Sequence, residues 1–414
     1  MNKKHIISIS LLTCLFLNFQ SYANIKDKSF SQAQTIYKSF CSNIITKKNI
    51  IDKNWSNIKR TKNLHIYKNK NERLQINIFH RSNKIQKLIF TFYNHANRPL
   101  IEMRSNNNCL LQTIRRIVYD KASIAYEIQS LNIKNYKIEE RQLLNPKKPK
   151  LTATNNKNII ALVDTGINYT LTEFHKNIAV KNGTILGFDY WDNDDKPFDS
   201  DPRQNPFYPR SHGSTIFSVL AKEAPNSHIA PYRFPALNMC KFREVIEHIA
   251  KNSIKLVNLS MGSNKLKDWV CFEKAAKQYN NIIFVVSAGN NGFDIDKQPI
   301  YPASLKLKNI ITVTSSDQNG RIGRGSNIGK LSVDFILPAE RIEVIDHRGV
   351  KSYTGGTSYA APRLVALISR FIEKNPNTTN NKIFEFLQKR SIQKGVKKTK
   401  YGWIPDPLDD YLIN

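Results

Sequence analysis

Five nearly unbroken apolar runs constrain this chain more than any other feature: "NIIALVD" (158–164), "GTILGFDYW" (183–191), "IKLVNLSMG" (254–262), "NIIFVVSAGN" (281–290) and "NIITVTSS" (309–316). A strand with one wet face alternates apolar and polar residues. A continuous run needs burial on both faces, which a parallel sheet between two helix layers provides. Between the runs, "STIFSVLAKEA", "CKFREVIEHIAK" and "DWVCFEKAAKQY" have helical length and period. This alternation predicts an α/β domain with a doubly wound, mostly parallel sheet. Ligands of such sheets bind beyond the carboxyl ends of the strands, so the residues after each run are the ones to inspect.

The first part of the chain follows a different pattern. From Leu64 to Leu131, short alternating segments such as "RLQINIFH" and "IQKLIFTFY" are separated by polar turns such as "RSNK" and "NHANR". That predicts an antiparallel meander with one buried face, preceded by a helix over 31–45. Phe79, Phe90, Phe92 and Tyr93 recur at strand period, which suits a core better than a platform for nucleic-acid bases. The stretch "LLNPKKPKLTATNNKN" (143–158) has two prolines, a lysine cluster and no periodicity. It reads as linker, which places a smaller, mainly antiparallel β domain at 24–145, a linker at 146–157 and the α/β domain at 158–414.

Residues 1–23 combine a basic start, an apolar run from Ile6 to Phe19 and a small-residue end at Ser21-Tyr22-Ala23, the pattern of a cleaved secretory signal. The expected location is secreted or periplasmic, with no later segment apolar enough to span a membrane. Export brings an oxidising compartment, so the four remaining cysteines are expected to pair as Cys41 with Cys109 and Cys240 with Cys271, buried free thiols being the alternative. Their spacing holds no zinc pattern. The net charge is +30, and residues 24–150 carry 26 basic against 8 acidic side chains. Such a field attracts anionic surfaces or acidic proteins; a chain simply rich in Lys, Asn and Ile is the plain alternative.

The chemistry-bearing residues collect after the runs. Asp164 ends the first in "VDTG", and His212 opens a helix in "SHGSTIFSVL". In "SAGNNG", Ser287, Ala288 and Gly289 make a small-residue edge and Asn290 offers an amide. Ser260, Met261 and Gly262 make a second edge, and an extended peptide could pair with both by strand addition. In "YTGGTSYAAPRLVALISRF" the glycines permit an unusual turn, Ser358 begins an apolar helix, and Pro362 is expected in its first turn, where a missing N–H costs little. The Ser358 N–H then points outward at a positive helix end.

Asp, His and Ser in that order, with "VDTG", "HGS", "SAGNNG" and "GTSYAAP" around them, make the sequence resemble a subtilase, a subtilisin-like serine peptidase, over about residues 157–405. The resemblance implies a subtilisin-like fold and a secreted endopeptidase. Ser358 would be the nucleophile, His212 its base, Asp164 the group that orients the histidine, and Asn290 with the Ser358 N–H the oxyanion donors. No cofactor is required for that chemistry. The six aspartates between Asp189 and Asp201 are expected to form a solvated acidic loop, with structural calcium the alternative. Departures from the family pattern lie at Ser214, Phe217 and Ser218 beside the histidine, which predict altered packing there, and at Ala339 where a glycine is usual. Region 24–145 reads as a propeptide, making the chain a zymogen, or as a retained accessory domain. The competing reading is a catalytically silent protein that binds partners through this basic region; the complete set of catalytic residue types argues against it.

Overall fold

The computed structural model describes residues 28–45, 54–69, 71, 73–152, 158–234, 238–394 and 397–413. The expected signal segment lies outside them. Two compact units emerge: the described residues of Met1–Ile117 with Gln129–Arg141, and those of Val118–Ile128 with Gln142–Asn414.

Helix α1 (Lys28–Ile45) precedes strands β1 (Trp55–Arg60), β2 (Leu64–Asn69), β3 (Leu74–Arg81), β4 (Lys84–Tyr93), β5 (Pro99–Asn106), β6 (Leu111–Tyr119), β7 (Ala125–Leu131) and β8 (Ile138–Leu143), of which β6, β7 and β8 each have residues in both units. The strands form one eight-stranded sheet in sequential order, antiparallel from β1 through β6. Strand period decides its faces. Leu74, Ile76, Leu88, Phe90, Phe92, Ile101 and Met103 are buried with Ala33, Tyr37, Phe40 and Cys41 of α1. Phe90 meets the rings of Tyr37 and Phe40 edge-on, so it serves the core. The Cys41–Cys109 disulfide forms, tying α1 to the loop between β5 and β6.

The second unit carries the long apolar runs. Its strands are β9 (Ile159–Asp164), the small hairpin β10 (Val180–Lys181) and β11 (Thr184–Ile185), then β12 (Phe188–Asp189), β13 (His228–Arg233), β14 (Leu256–Leu259), β15 (Ile283–Ser287), β16 (Ile310–Ser316), β17 (Phe335–Pro338), the hairpin β18 (Ile342–Ile345) and β19 (Lys351–Thr354), and β20 (Gly402–Trp403). An eight-stranded sheet in the order β12-β13-β9-β14-β15-β16-β17-β20 is parallel throughout. Run 183–191 yields only short strands, and between them Gly187 packs so closely on the Pro231 carbonyl that a Cβ there would lie 2.0 Å from its oxygen.

Helices α2 (Gly213–Glu223), α5 (Thr357–Lys374) and α6 (Asn380–Arg390) supply one core and α3 (Phe242–Lys251) and α4 (Val270–Gln278) the other. Along β9, Ile160 and Leu162 face the first core while Ala161 and Val163 face the second, which is why the run reads as continuously apolar. From β9 the order proceeds through β14 to β17 on one side and through β13 to β12 on the other. The carboxyl end of β9, where Asp164 sits, is therefore a topological switch point.

Part of the stretch expected as linker is bonded within this unit. Pro146 O accepts from the Tyr169 hydroxyl at 2.7 Å, Asn145 donates to Asp194 at 2.8 Å, and Lys148 donates to Thr184 at 2.7 Å. Residues 153–157 lie outside the described set. The Cys240–Cys271 disulfide joins the turn before α3 to α4. Among the described residues, no helix is long and apolar enough to cross a membrane.

Candidate active site

Asp164 ends β9 with its side chain 2% exposed, and His212 caps α2 with about a third of its side chain accessible, 32%. Nδ1 of His212 meets Asp164 Oδ1 at 2.8 Å and Oδ2 at 3.0 Å. The approach needs a bare backbone, because a Cβ on Gly213 would lie 1.9 Å from the Gly166 carbonyl oxygen. Burial disfavours the imidazolium, but the charge and hydrogen bond of Asp164, with Asp199 adding, outweigh it and raise the His212 pKa above its ordinary 6.5.

Two residues without an assigned role in the sequence hold this arrangement. Thr165 Oγ1 donates to Asp199 Oδ1 at 2.6 Å and accepts the backbone N–H groups of His212 at 3.0 Å and Gly213 at 2.8 Å. Asp199 also accepts from His212 N at 3.1 Å and Ser214 N at 2.8 Å. The first orphan donors of α2 are thereby satisfied by the Thr165 hydroxyl and the buried Asp199 carboxylate. Burial raises the Asp199 pKa, against the bonds from Ser214 and Thr165. Thr165 stands inside "VDTG" and Asp199 among the six aspartates; only the fold singles them out.

Ser358 is the second residue of α5, after Gly356 at φ +119°. Its N–H has no acceptor within the helix, as the position requires. Among the described residues its hydroxyl makes no hydrogen bond to His212, whose ring bonds to Asp164. The adjacent Tyr359 ring lies 6.1 Å from the His212 ring, and its hydroxyl meets Thr215 Oγ1 at 3.1 Å. Pro362 is the sixth residue of α5, not in the first turn as expected. The N–H it lacks would have served the Ser358 carbonyl, which instead accepts from Ser260 Oγ at 2.9 Å.

Asn290 Oδ1 accepts from Thr357 N at 3.0 Å and from Thr357 Oγ1 at 3.1 Å. A backbone N–H can only donate, so the amide oxygen is fixed there and the amide nitrogen remains to donate. Ser260, Met261, Gly262, Ser287, Gly289, Asn290 and Ser358 line one cavity of about 460 Å³, together with Phe293, Ile300 and neighbouring Ser and Asn residues. Ala288, expected on this wall, is instead fully buried in the second core. Strand alternation turns its side chain to the core face. Its carbonyl accepts from Asn327 Nδ2 at 2.8 Å, and Asn327 Oδ1 accepts from Asn291 N and Phe293 N at 3.0 and 2.8 Å. Asn327, from "SNIG", thus shapes the loop that presents Asn290.

The departures are buried and bonded. Phe217 is fully buried beside Phe174, ring centroids 4.7 Å apart, and Ser218 Oγ donates to Thr215 O and accepts from Ile345 N. Ala339 O accepts Gly356 N at 3.1 Å, fixing the turn before the serine. Each of the six aspartates is bonded to a protein donor: Asp189 and Asp192 to Arg233, Asp194 to Asn145, Asp195 to Lys148, Asp199 to Thr165, and Asp201 to Arg203. Among the described residues no group of three His, Cys, Asp or Glu side chains is arranged to hold a metal ion.

A model described as the subtilase family, peptidase S8, matches residues 155–403. The chain is 23% identical over 274 residues to a cell wall-associated protease of Bacillus subtilis, covering 62% of this chain and only 28% of that protein. It is 22% identical over 336 residues to the epidermin leader peptide-processing serine protease EpiP of Staphylococcus epidermidis, covering 64% of this chain and 70% of the relative. The crystal structure of a serine-to-alanine mutant of EpiP from Staphylococcus aureus superposes with a TM-score of 0.51 at 18% identity, over 63% of this chain and 77% of that one. That likeness concerns the fold.

Proposed function

The chain belongs to the subtilase family, and from that premise we propose that it is a secreted or periplasmic serine endopeptidase acting through Asp164, His212 and Ser358. The observation that carries the reading is the doubly hydrogen-bonded Asp164–His212 pair at the sheet's switch point, together with a cavity whose wall includes Ser358 and Asn290.

Asp164 keeps the proton of neutral His212 on Nδ1, so that Nε2 is the free base. The Ser358 oxygen attacks the scissile carbonyl carbon while its proton passes to Nε2. Closure of that hydrogen bond accompanies substrate binding, as catalytic contacts often tighten only in the complex. Negative charge on the carbonyl oxygen is met by the Asn290 amide nitrogen and the Ser358 N–H, two donors already oriented. Collapse breaks the C–N bond, and His212 returns the proton to the leaving amine. Water, deprotonated by the same histidine, then adds to the acyl-enzyme and releases Ser358. No metal or cofactor enters these steps.

The substrate is a protein or peptide whose backbone pairs with the 260–262 and 287–289 edges, strand against strand. Region 24–145 acts as a removable propeptide, and N-terminal sequencing of the mature protein tests this. A fluorophosphonate probe tests the activity: it should label Ser358 of the matured protein and fail on Ser358→Ala. No labelling of correctly matured protein would overturn the reading.

A further inference from the structure

We propose that Ser260, through its side-chain hydroxyl, is a positioning residue for the nucleophile, replacing a hydrogen bond that the helix itself cannot make. The proposal rests on the peptidase reading above. In an α-helix the carbonyl of residue i accepts the N–H of residue i+4. For Ser358 that donor position is Pro362, which has no N–H and whose ring crowds the same carbonyl. A helix carbonyl left without its donor must find another partner or is free to tilt away from the ring.

The missing donor arrives from another element. Ser260 follows β14, is 7% exposed, and its Oγ lies 2.9 Å from the Ser358 oxygen. Its direction is set from behind. Asn258, fully buried in β14, donates Nδ2 to Ser260 Oγ at 3.1 Å, so the hydroxyl hydrogen is committed to Ser358. The Asn258 Oδ1 has no hydrogen-bond partner among the described residues.

The consequence is functional because Ser358 carries both the attacking oxygen and one oxyanion donor. Rotation of the first turn of α5 would move both. Ser260 also lines the cavity, so the strand edge that receives a peptide is joined to the nucleophile through one hydroxyl.

The test is a double-mutant cycle on the matured enzyme: wild type, Ser260→Ala, Pro362→Ala and the double variant, with kcat, KM and thermal midpoints for each. Ser260→Ala should lower kcat about ten-fold with KM little changed, and Ser260→Thr, which keeps the hydroxyl, should recover most of that. In the Pro362→Ala background the restored backbone N–H serves the carbonyl, and the same Ser260→Ala step should cost less than about two-fold. An equal loss in both backgrounds, or a loss confined to KM, would overturn the proposal. If the wild type fails to label with fluorophosphonate, the peptidase reading falls. The coupling is then read from the four thermal midpoints, where equal Ser260→Ala shifts with and without Pro362 would sink it.

Discussion

Asp164 holds His212 Nδ1 with both carboxylate oxygens, at 2.8 and 3.0 Å, from a side chain that is 2% exposed. A carboxylate so enclosed can only accept, so the ring proton must lie on Nδ1 and the lone pair on Nε2. The histidine is thereby oriented before any substrate arrives, and its charged form is favoured.

Asp164→Asn should preserve the geometry and damage the chemistry. An amide can present its N–H to Nδ1, which puts the proton on Nε2 and removes the base. The expected loss in kcat is about four orders of magnitude, with little change in the thermal midpoint. Turnover of a peptide substrate and a melting curve on the same sample check this; a loss below about ten-fold would speak against the assigned role.

The pH profile carries a sign. His212 has a raised pKa because the Asp164 charge outweighs burial, and the base must be neutral to act. Activity should therefore rise with pH through a value above the ordinary 6.5, and in Asp164→Asn the residual rising limb should move to lower pH. Its effect on stability runs the other way: the contribution is fully present below the unfolded pKa of about 6.5 and is lost as pH rises through the folded value. Chemical denaturation at several pH values, compared with His212→Gln, reads it.

The helices bearing His212 and Ser358 are joined by a buried ion pair. Arg363 Nε of α5 donates to Glu223 of α2 at 2.8 and 3.1 Å, with side chains 8% and 6% exposed. Arg363→Met leaves Glu223 unpaired and should destabilise the protein by about 3 to 5 kcal/mol, roughly 6 to 20 °C in midpoint. Glu223→Leu combined with Arg363→Met should recover most of it, since the buried charge is then gone. A double variant no better than the single would reject this account.

Arg233 bonds Asp189 and Asp192 at 2.6 Å each. Burial, opposed by Arg233, pushes the Asp189 carboxyl up to about 6. A raised carboxyl pKa favours the fold below the unfolded value, 3.8, and that contribution fades as pH rises through about 6. Arg233→Met should therefore cost more at about pH 7, where Asp189 is charged, than at about pH 5, where Asp189 can take up a proton. Equal destabilisation at both pH values would contradict it.

Much is legible in sequence where a local pattern has one structural solution. Strand β3 alternates buried and half-buried residues, and most of the buried α/β strands read as apolar runs. Strand β13 escapes such a reading because "HIAPYR" holds Pro231, and β1 and β8 because their faces are largely solvated. Both expected cysteine pairs form, one in each unit. Pro362 falls deeper in its helix than the local pattern suggests, because a helix start set by Gly356 and the Asn290–Thr357 bonds depends on a loop far away in the chain.

The sequence by itself determined the residue types of the site and their order, because each sits at the end of an element whose period and turn signals are local. Tertiary structure alone decided which groups hold them. Thr165 and Asp199 beneath His212, Thr357 against Asn290, and Ser260 against the Ser358 carbonyl are ordinary side chains until the fold brings distant segments within hydrogen-bond range. Hydrogen bonds between side chains and backbone across such distances leave no period in the chain, and buried polar groups take whatever partner the packing supplies.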